Sequence, residues 1–248
     1  MSSNLEPLTQ RLQAPQARIL IITGAGISAE SGISTFRGAG GYWNRFRAED
    51  LASPDGFSRD PELVWQWYME RREALRQAKP NAGHHALREL CEHVDHVTLV
   101  TQNVDGLHGV ADRSKFQDYI EIHGNIWRVK CCRTGKTWAH PEPFQAKVPH
   151  CQCGAKLRPD VLWFGETYKQ DDMHRALKAA RRADCILIVG TSGMVWIVSG
   201  LLTEAKPEAY TVEFNLETTD LSTRVHQSIV GPSGKTLPAL LDILRKNP

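Results

Sequence analysis

Short apolar runs alternate with longer amphipathic stretches along most of the chain. "RILIIT" (18–23), "HVTLVTQ" (96–102), "YIEIHG" (119–124), "CILIVGT" (185–191) and "AYTVEFN" (209–215) are compact and apolar and are predicted to be buried strands. Between them, "NAGHHALRELCEHV" and "DDMHRALKAARRA" carry apolar residues at helical spacing. Strand and helix in alternation predict an α/β chain, a parallel sheet with helices on both faces. Two stretches break the rhythm. Residues 42 to about 80 are helical and rich in aromatics, and residues 125 to about 158 hold four cysteines and many turn formers without a strong period. Both are expected to be insertions forming a small lobe beside the sheet. This assigns 1–41, 81–124 and 159–248 to the sheet domain, and 42–80 and 125–158 to the lobe.

In the first insertion, Asp60-Pro61 supplies a helix start: a carboxylate to cap free N–H groups and a proline at the first helical position. From there Val64, Tyr68, Arg71 and Leu75 fall at i, i+4, i+7 and i+11, on one face. Arg71 thus interrupts a stripe that is otherwise apolar or phenolic, one turn from Tyr68. Pairing with a glutamate, or a head group reaching solvent, would account for it structurally. Recognition of a carboxylate would account for it functionally.

The net charge of +2 gives no reason to expect a nucleic-acid or membrane partner. No apolar run approaches the roughly 20 residues of a membrane span. The start, "MSSNLEPLTQRLQAPQ", lacks the apolar core of a signal peptide, so a cytoplasmic protein is expected. Six cysteines in that setting point to metal or core positions before disulfides. Cys91 and Cys185 lie in apolar stretches and are read as core.

"RILIITGAGISAESG" sets Gly24-Ala25-Gly26-Ile27-Ser28-Ala29 after a strand and before a helix, the context in which G-x-G-x-x-G/A cradles a pyrophosphate at a helix N-terminus. A tight strand-to-helix turn needs the same glycines for structural reasons alone. The acidic residue expected about 20 positions later in dehydrogenases is missing. There the chain runs "GISTFRGAGGYWNRF", which reads as a flap over a ligand, so hydride transfer is not the natural reading.

"GAGISAESGISTFRG", "TQNVDGLH", "EIHGN", "LRPDVLWFGE", "VGTSGMV" and "VEFN" occur in this order. Together they resemble the sirtuin (Sir2) family, NAD-dependent protein lysine deacylases, over about residues 18–240. Thr35 in "STFRG", and the Tyr68/Arg71 pair, resemble its class III members. The resemblance implies a Rossmann-type NAD-binding domain with a small, zinc-ribbon-like lobe. It implies NAD as co-substrate: the nicotinamide bond breaks while the acyl-lysine carbonyl oxygen attacks the ribose, and the acyl group ends on ADP-ribose.

The base that deprotonates a ribose hydroxyl is, by the same resemblance, His123. Its residue type suits the task, since an imidazole titrates near pH 6.5, and its place at a strand end is where ligands of open α/β sheets collect. Asn103 and Asp105 are implied at the ribose and nicotinamide, although an Asx-type turn would also use them. NAD contacts are implied for Gly24, Ala25, Gly26, Ser28, Phe36, Arg37, Tyr42 and Trp43, then for Gln102, Asn103, Val104 and Asp105. Gly190, Thr191, Ser192, Asn215, Leu216, Glu217 and Ser233 are implied on the adenosine side. Val161, Trp163, Phe164 and Gly165 of "VLWFGE" resemble the strand that pairs with an extended acyl-lysine peptide, and equally suit an aromatic core strand. Tyr68 and Arg71 are expected to read acidic acyl groups, succinyl or malonyl, beside some deacetylase activity. An NAD glycohydrolase or ADP-ribosyltransferase, and a non-enzymatic NAD-sensing module, remain as rivals.

Sirtuins commonly hold zinc with two Cys-x-x-Cys knuckles. Here "KCCRTGK" offers Cys131 but Thr134 where the second ligand belongs, and "HCQCG" separates Cys151 and Cys153 by one residue. Cys131, Cys151 and Cys153 are the candidate ligands, with Cys132 or His150 as a completing fourth. A zinc site and a lobe held by packing alone both stay open. Ile197-Val198-Ser199 stands where many sirtuins have proline and small residues, a change expected to alter packing behind the nucleotide more than chemistry.

Overall fold

The fold is taken from a computed structural model, which describes residues 5–35 and 48–246. Its strands are β1 (Arg18–Thr23), β2 (His96–Thr101), β3 (Asp118–Glu121), β4 (Gly124–Cys131) and β5 (Thr137–Ala139), followed by β6 (Leu157–Val161), β7 (Cys185–Val189), β8 (Tyr210–Asn215) and β9 (Gln227–Val230). The α-helices are α1 (Glu6–Leu12), α2 (Ala48–Leu51), α3 (Pro54–Arg59), α4 (Pro61–Arg76) and α5 (Ala82–Leu90), then α6 (Leu107–Val110), α7 (Gln170–Arg182), α8 (Trp196–Glu204) and α9 (Ser233–Lys246). No described helix is long and apolar enough to cross a membrane.

Six strands form a parallel sheet in the order β3-β2-β1-β7-β8-β9. Side chains alternate between its faces, and both faces are covered. Ile19 and Ile21 of β1 pack with Leu8 and Leu12 of α1, Leu87 of α5 and Leu240 of α9. Leu20 and Ile22 pack on the other side with Ala176 and Ala180 of α7 and Ile197 and Leu201 of α8. Ile197 and Val198, the departure noted in the sequence, are fully buried in this second core.

The lobe is built on an antiparallel sheet, β5-β4-β6, with α4 packed against it. This sheet runs from Gly124 to Val161, so the expected boundaries at 124/125 and 158/159 each fall inside a strand. Helix α4 starts as expected: Asp60 Oδ1 accepts the Leu63 N–H at 2.9 Å. Val64, Tyr68, Arg71 and Leu75 are all buried, but so are Trp65, Trp67 and Arg72, so the helix is enclosed on more than one side. The Trp65 indole N–H donates to the Leu157 carbonyl at 2.8 Å. Arg72 is fully buried and donates to the carbonyls of Ile126, His140 and Arg128 at 2.7, 3.0 and 3.4 Å. These bonds tie α4 to the lobe sheet and leave the neighbouring Arg71 on a different face.

Candidate active site

The site grows from the C-terminal ends of the parallel strands. After β1 the Gly24 N–H bonds to the Val189 carbonyl at 2.9 Å, and the Gly26 N–H to the Gly190 carbonyl at 2.7 Å. A Cβ on Gly26 would sit 2.7 Å from the Gly190 Cα, so close approach of two strand-end loops requires glycine there. The helix expected next is instead a seven-residue 3-10 helix, Ala25–Ser31, closed by Gly32 in the left-handed region at φ +80°. The short 28–33 segment turns away before an α-helix can be established, as Ile33 N–H reaches back to the Ser28 carbonyl.

A cavity of about 430 Å³ opens at these strand ends. Gly24, Ala25, Gly26, Gln102, Asn103, His123, Gly190, Thr191, Ser192, Asn215, Leu216, Glu217 and Ser233 line it, as does Thr35. Its volume lies in the range of small-molecule sites, and its walls mix bare backbone at the glycines with amide and hydroxyl side chains. That combination fits a nucleotide. Phe36, Arg37, Tyr42 and Trp43 lie outside the described residues.

Ser28 and Asp105 are not in that wall. They form a buried layer joined to Asn103: the Ser28 hydroxyl donates to Asp105 Oδ2 at 2.8 Å, and the Asn103 amide donates to the Gly24 carbonyl at 3.0 Å and to Ser28 Oγ at 3.2 Å. Asp105 Oδ1 also accepts the Leu107 N–H at 2.8 Å, so the Asx-type turn coexists with the polar layer. Burial raises the Asp105 carboxyl above its ordinary range. Two residues not foreseen from the sequence complete the layer. His84 Nε2 lies 3.5 Å from Ser28 Oγ, and the His84 ring stands 4.7 Å from that of His108. Burial lowers His84 to about 4 and pushes His108 well down. The sole sequence signal for His84 was its place three residues after Asn81, with which it forms a capping box.

His123 lies in the short connection between β3 and β4 rather than in a strand. Its Nδ1 is 2.9 Å from the Gln102 carbonyl oxygen. Burial lowers its pKa, and the bond to Gln102 opposes that. The ring lies nearly parallel to Tyr168, 22° and 5.9 Å between centroids.

A second cavity of about 290 Å³ adjoins the first, sharing Gln102, His123 and Val195 with it. Tyr68, Arg71, Val104, Val161, Trp163, Phe164 and Gly165 line it, joined by Glu166 and Tyr168, which sequence reading missed. "VLWFGE" is not a regular strand: Val161 closes β6 and the rest is a loop, pinned by Leu162 N–H to the His123 carbonyl and Phe164 N–H to the Ala52 carbonyl, both 2.8 Å. Trp163 is buried while Phe164 is half exposed. The Trp163 indole N–H donates to the Tyr68 hydroxyl at 2.9 Å, and burial raises the Tyr68 phenol pKa. The Arg71 guanidinium carbon stands 4.7 Å from the Trp67 ring centroid.

In the lobe, the sulfurs of Cys131, Cys151 and Cys153 lie within 4.8 Å of one another, with Cys131 and Cys153 at 3.6 Å. Sulfurs bound tetrahedrally to zinc at about 2.3 Å are about 3.8 Å apart, so these residues fit three corners of such a site. Cys132 and His150 do not join them. Hydrogen bonds from the Thr134 side chain and backbone lower the Cys131 thiol to about 6. Zinc held here would brace the lobe away from both cavities.

The model of the Sir2 family matches residues 24–196. An NAD-dependent protein deacylase 2 of Pyrobaculum aerophilum is 42% identical, across 95% of this chain and 94% of its own. An NAD-dependent protein deacylase of Thermus thermophilus is 44% identical, across 91% and 89%. Among solved structures, a Sir2 homolog–NAD complex superposes with a TM-score of 0.87 at 37% identity, covering 98% of this chain and 94% of its own. Sir2Tm bound to a propionylated peptide superposes with a TM-score of 0.81 at 25% identity, covering 97% and 98%. A family match over most of the chain, with relatives this similar nearly end to end, shows that the chain belongs to the Sir2 family.

Proposed function

We propose that this enzyme, an NAD-dependent protein deacylase, prefers lysines carrying acidic acyl groups such as succinyl and malonyl, with some activity on acetyl-lysine. The observation that carries the preference is the buried Tyr68–Arg71 pair in the wall of the second cavity. A guanidinium presents paired donors that match a carboxylate, and a phenol adds a third. Glu166 lies in the same wall, but Arg158 grips both its oxygens, at 2.6 and 2.9 Å. Arg71 brings a positive charge to that wall, beside the Tyr68 phenol.

The first cavity suits NAD, with Gly190 to Ser192, Asn215 to Glu217 and Ser233 toward the adenosine half and Asn103 toward the ribose. When bound, NAD supplies the ADP-ribose that receives the acyl group and nicotinamide as leaving group. Asp105 acts from behind, holding Ser28, which in turn receives the Asn103 amide. His123 lines both cavities, so it can meet the acyl group and the ribose together. With Nδ1–H held by the Gln102 carbonyl, Nε2 is free to take a hydroxyl proton. Val161 to Gly165 line the path of the peptide. Solved relatives, one in complex with NAD and one bound to a propionylated peptide, support these two readings. Free thiols at all six cysteines support a reducing, cytoplasmic setting.

The test is incubation of the protein with NAD and succinyl-, malonyl- and acetyl-lysine peptides of one sequence, with products identified by mass. Deacylated peptide, nicotinamide and O-acyl-ADP-ribose are expected, with the higher kcat/KM on acidic acyls. Nicotinamide release without peptide turnover would instead support a glycohydrolase or ADP-ribosyltransferase. Equal or lower kcat/KM on the acidic peptides would remove the stated preference.

A further inference from the structure

We infer that Trp163 is a positioning residue for acyl selectivity: it fixes the direction of the Tyr68 hydroxyl so that its proton points at the substrate. The inference rests on the acidic-acyl reading of the second cavity and supplies the device by which that cavity reads a carboxylate.

Tyr68 is only 1% exposed, so its hydroxyl is settled by protein or ligand and not by bulk water. Its oxygen accepts the Trp163 indole N–H at 2.9 Å. An indole N–H donates and never accepts, so this contact fixes the sense of the bond. A phenolic proton lies near the ring plane, on one side of the oxygen or the other. With one side held by the Trp163 donor, the proton takes the opposite side. No described residue accepts it there. A buried donor without an acceptor is costly, and a ligand carboxylate in the adjoining cavity removes that cost.

Trp163 is itself held from several directions. The Arg158 guanidinium carbon lies 3.4 Å from its ring centroid. Glu166, gripped by Arg158, accepts the Trp163 backbone N–H at 2.9 Å. Phe57 packs on the ring at 5.3 Å. A cation over the indole face draws density from the ring and makes its N–H a stronger donor. A Tyr68 oxygen that accepts a strong bond donates a stronger one in turn. Glu166, Arg158, Trp163 and Tyr68 thus form one polar chain ending at the cavity. The acyl tail lies away from the reacting carbonyl, so loss of this orientation weakens binding of the acidic acyl group and shows in KM rather than kcat.

The experiment compares kcat and KM on succinyl- and acetyl-lysine peptides for the parent, Trp163→Phe, Tyr68→Phe, the double variant and Arg71→Met. Trp163→Phe keeps an aromatic ring and removes the N–H. Its succinyl-to-acetyl ratio of kcat/KM is expected to fall about five-fold, through KM on succinyl peptide. The double variant is expected to match Tyr68→Phe, because without the hydroxyl there is nothing for Trp163 to orient. If the two single losses multiply, or Trp163→Phe lowers both substrates alike, Trp163 serves packing and the inference is overturned. Equal losses on both peptides in Arg71→Met would instead overturn the acidic-acyl reading, and the inference with it. Should Trp163→Phe fail to fold, the indole ¹⁵N–H resonance of Trp163 gives a second measure. It is expected to move upfield in Tyr68→Phe, and an unmoved resonance overturns the inference.

Discussion

Nδ1 of His123 lies 2.9 Å from the carbonyl oxygen of Gln102, and that one contact decides which nitrogen can act as a base. A carbonyl only accepts, so the ring proton belongs on Nδ1 and the lone pair on Nε2. The Nδ1–H bond also steadies the imidazolium once Nε2 has taken a proton.

The pH profile follows from the direction of the His123 shift. Burial lowers its pKa below 6.5, so the neutral, base-competent form persists below that pH. On the acid side kcat/KM should fall as His123 protonates, with its midpoint below pH 6.5. His123→Ala should lose about 100-fold or more in kcat, with NAD affinity, followed by fluorescence titration, little changed. An acid limb with its midpoint at or above pH 6.5, or a variant at parental rate, would contradict the assignment.

A second pH effect concerns stability. Burial holds His84, lowered to about 4, and His108, also pushed well below the ordinary histidine value, neutral in the fold. Unfolded, both titrate near 6.5. Above pH 6.5 both states are neutral and nothing is lost. As pH falls from 6.5 toward about 4, the unfolded chain takes protons that the folded one refuses, and stability drops. His84 alone accounts for about 3 kcal/mol at the low end of that window. Urea midpoints between pH 7.5 and 4.5 should fall less steeply in His84→Gln than in the parent. Parallel curves would show that His84 is not the group responsible.

The zinc prediction turns on Thr134. Three sulfurs gather, while Thr134 supplies a hydroxyl bonded to Cys131 in place of a fourth thiolate. Zinc should therefore be labile: elemental analysis after chelator washing is expected to find well under one ion per chain. Thr134→Cys should raise retention toward one and raise the melting temperature of the lobe. A parent protein that keeps one tightly held zinc through the same wash would refute this.

How much of this was legible depends on whether the cause was local. β1, β2, β7 and β8 read as apolar runs because a parallel sheet covered on both faces leaves no polar side, as Ile19 to Ile22 show. β9 was missed because in "QSIV" only Ile229 is buried. β5 is exposed throughout, and β4 shifts register against β6 between Asn125 and Val129, so neither offers a period to detect. Strand-end residues such as Asn103, Gly190 and Asn215 were legible because each ends its strand or lies within two residues of its end. The bond from Trp163 to Tyr68 spans 95 positions, and the contact of His84 with Ser28 spans 56. Nothing in either local stretch foretells its partner.

Arg71 is where residue pattern and pocket meet most directly. It is 7% exposed, on the predicted face of α4, and lines the second cavity with Tyr68. Removing one partner of a buried ion pair costs roughly 3–5 kcal/mol. The cavity opens to solvent when empty, so a smaller figure, about 2–3 kcal/mol, is expected for Arg71→Met. That corresponds to a loss of about 30- to 150-fold in kcat/KM on a succinyl peptide. Acetyl-lysine carries no carboxylate, so its turnover should fall far less, and removal of a nearby charge can even favour it. Methionine keeps the volume and the apolar stem, which separates loss of charge from loss of packing. Kinetics on both peptides with both proteins decide the matter: matched losses would mean that Arg71 serves the fold of α4, and a loss confined to the acidic acyl would mean that it reads the substrate.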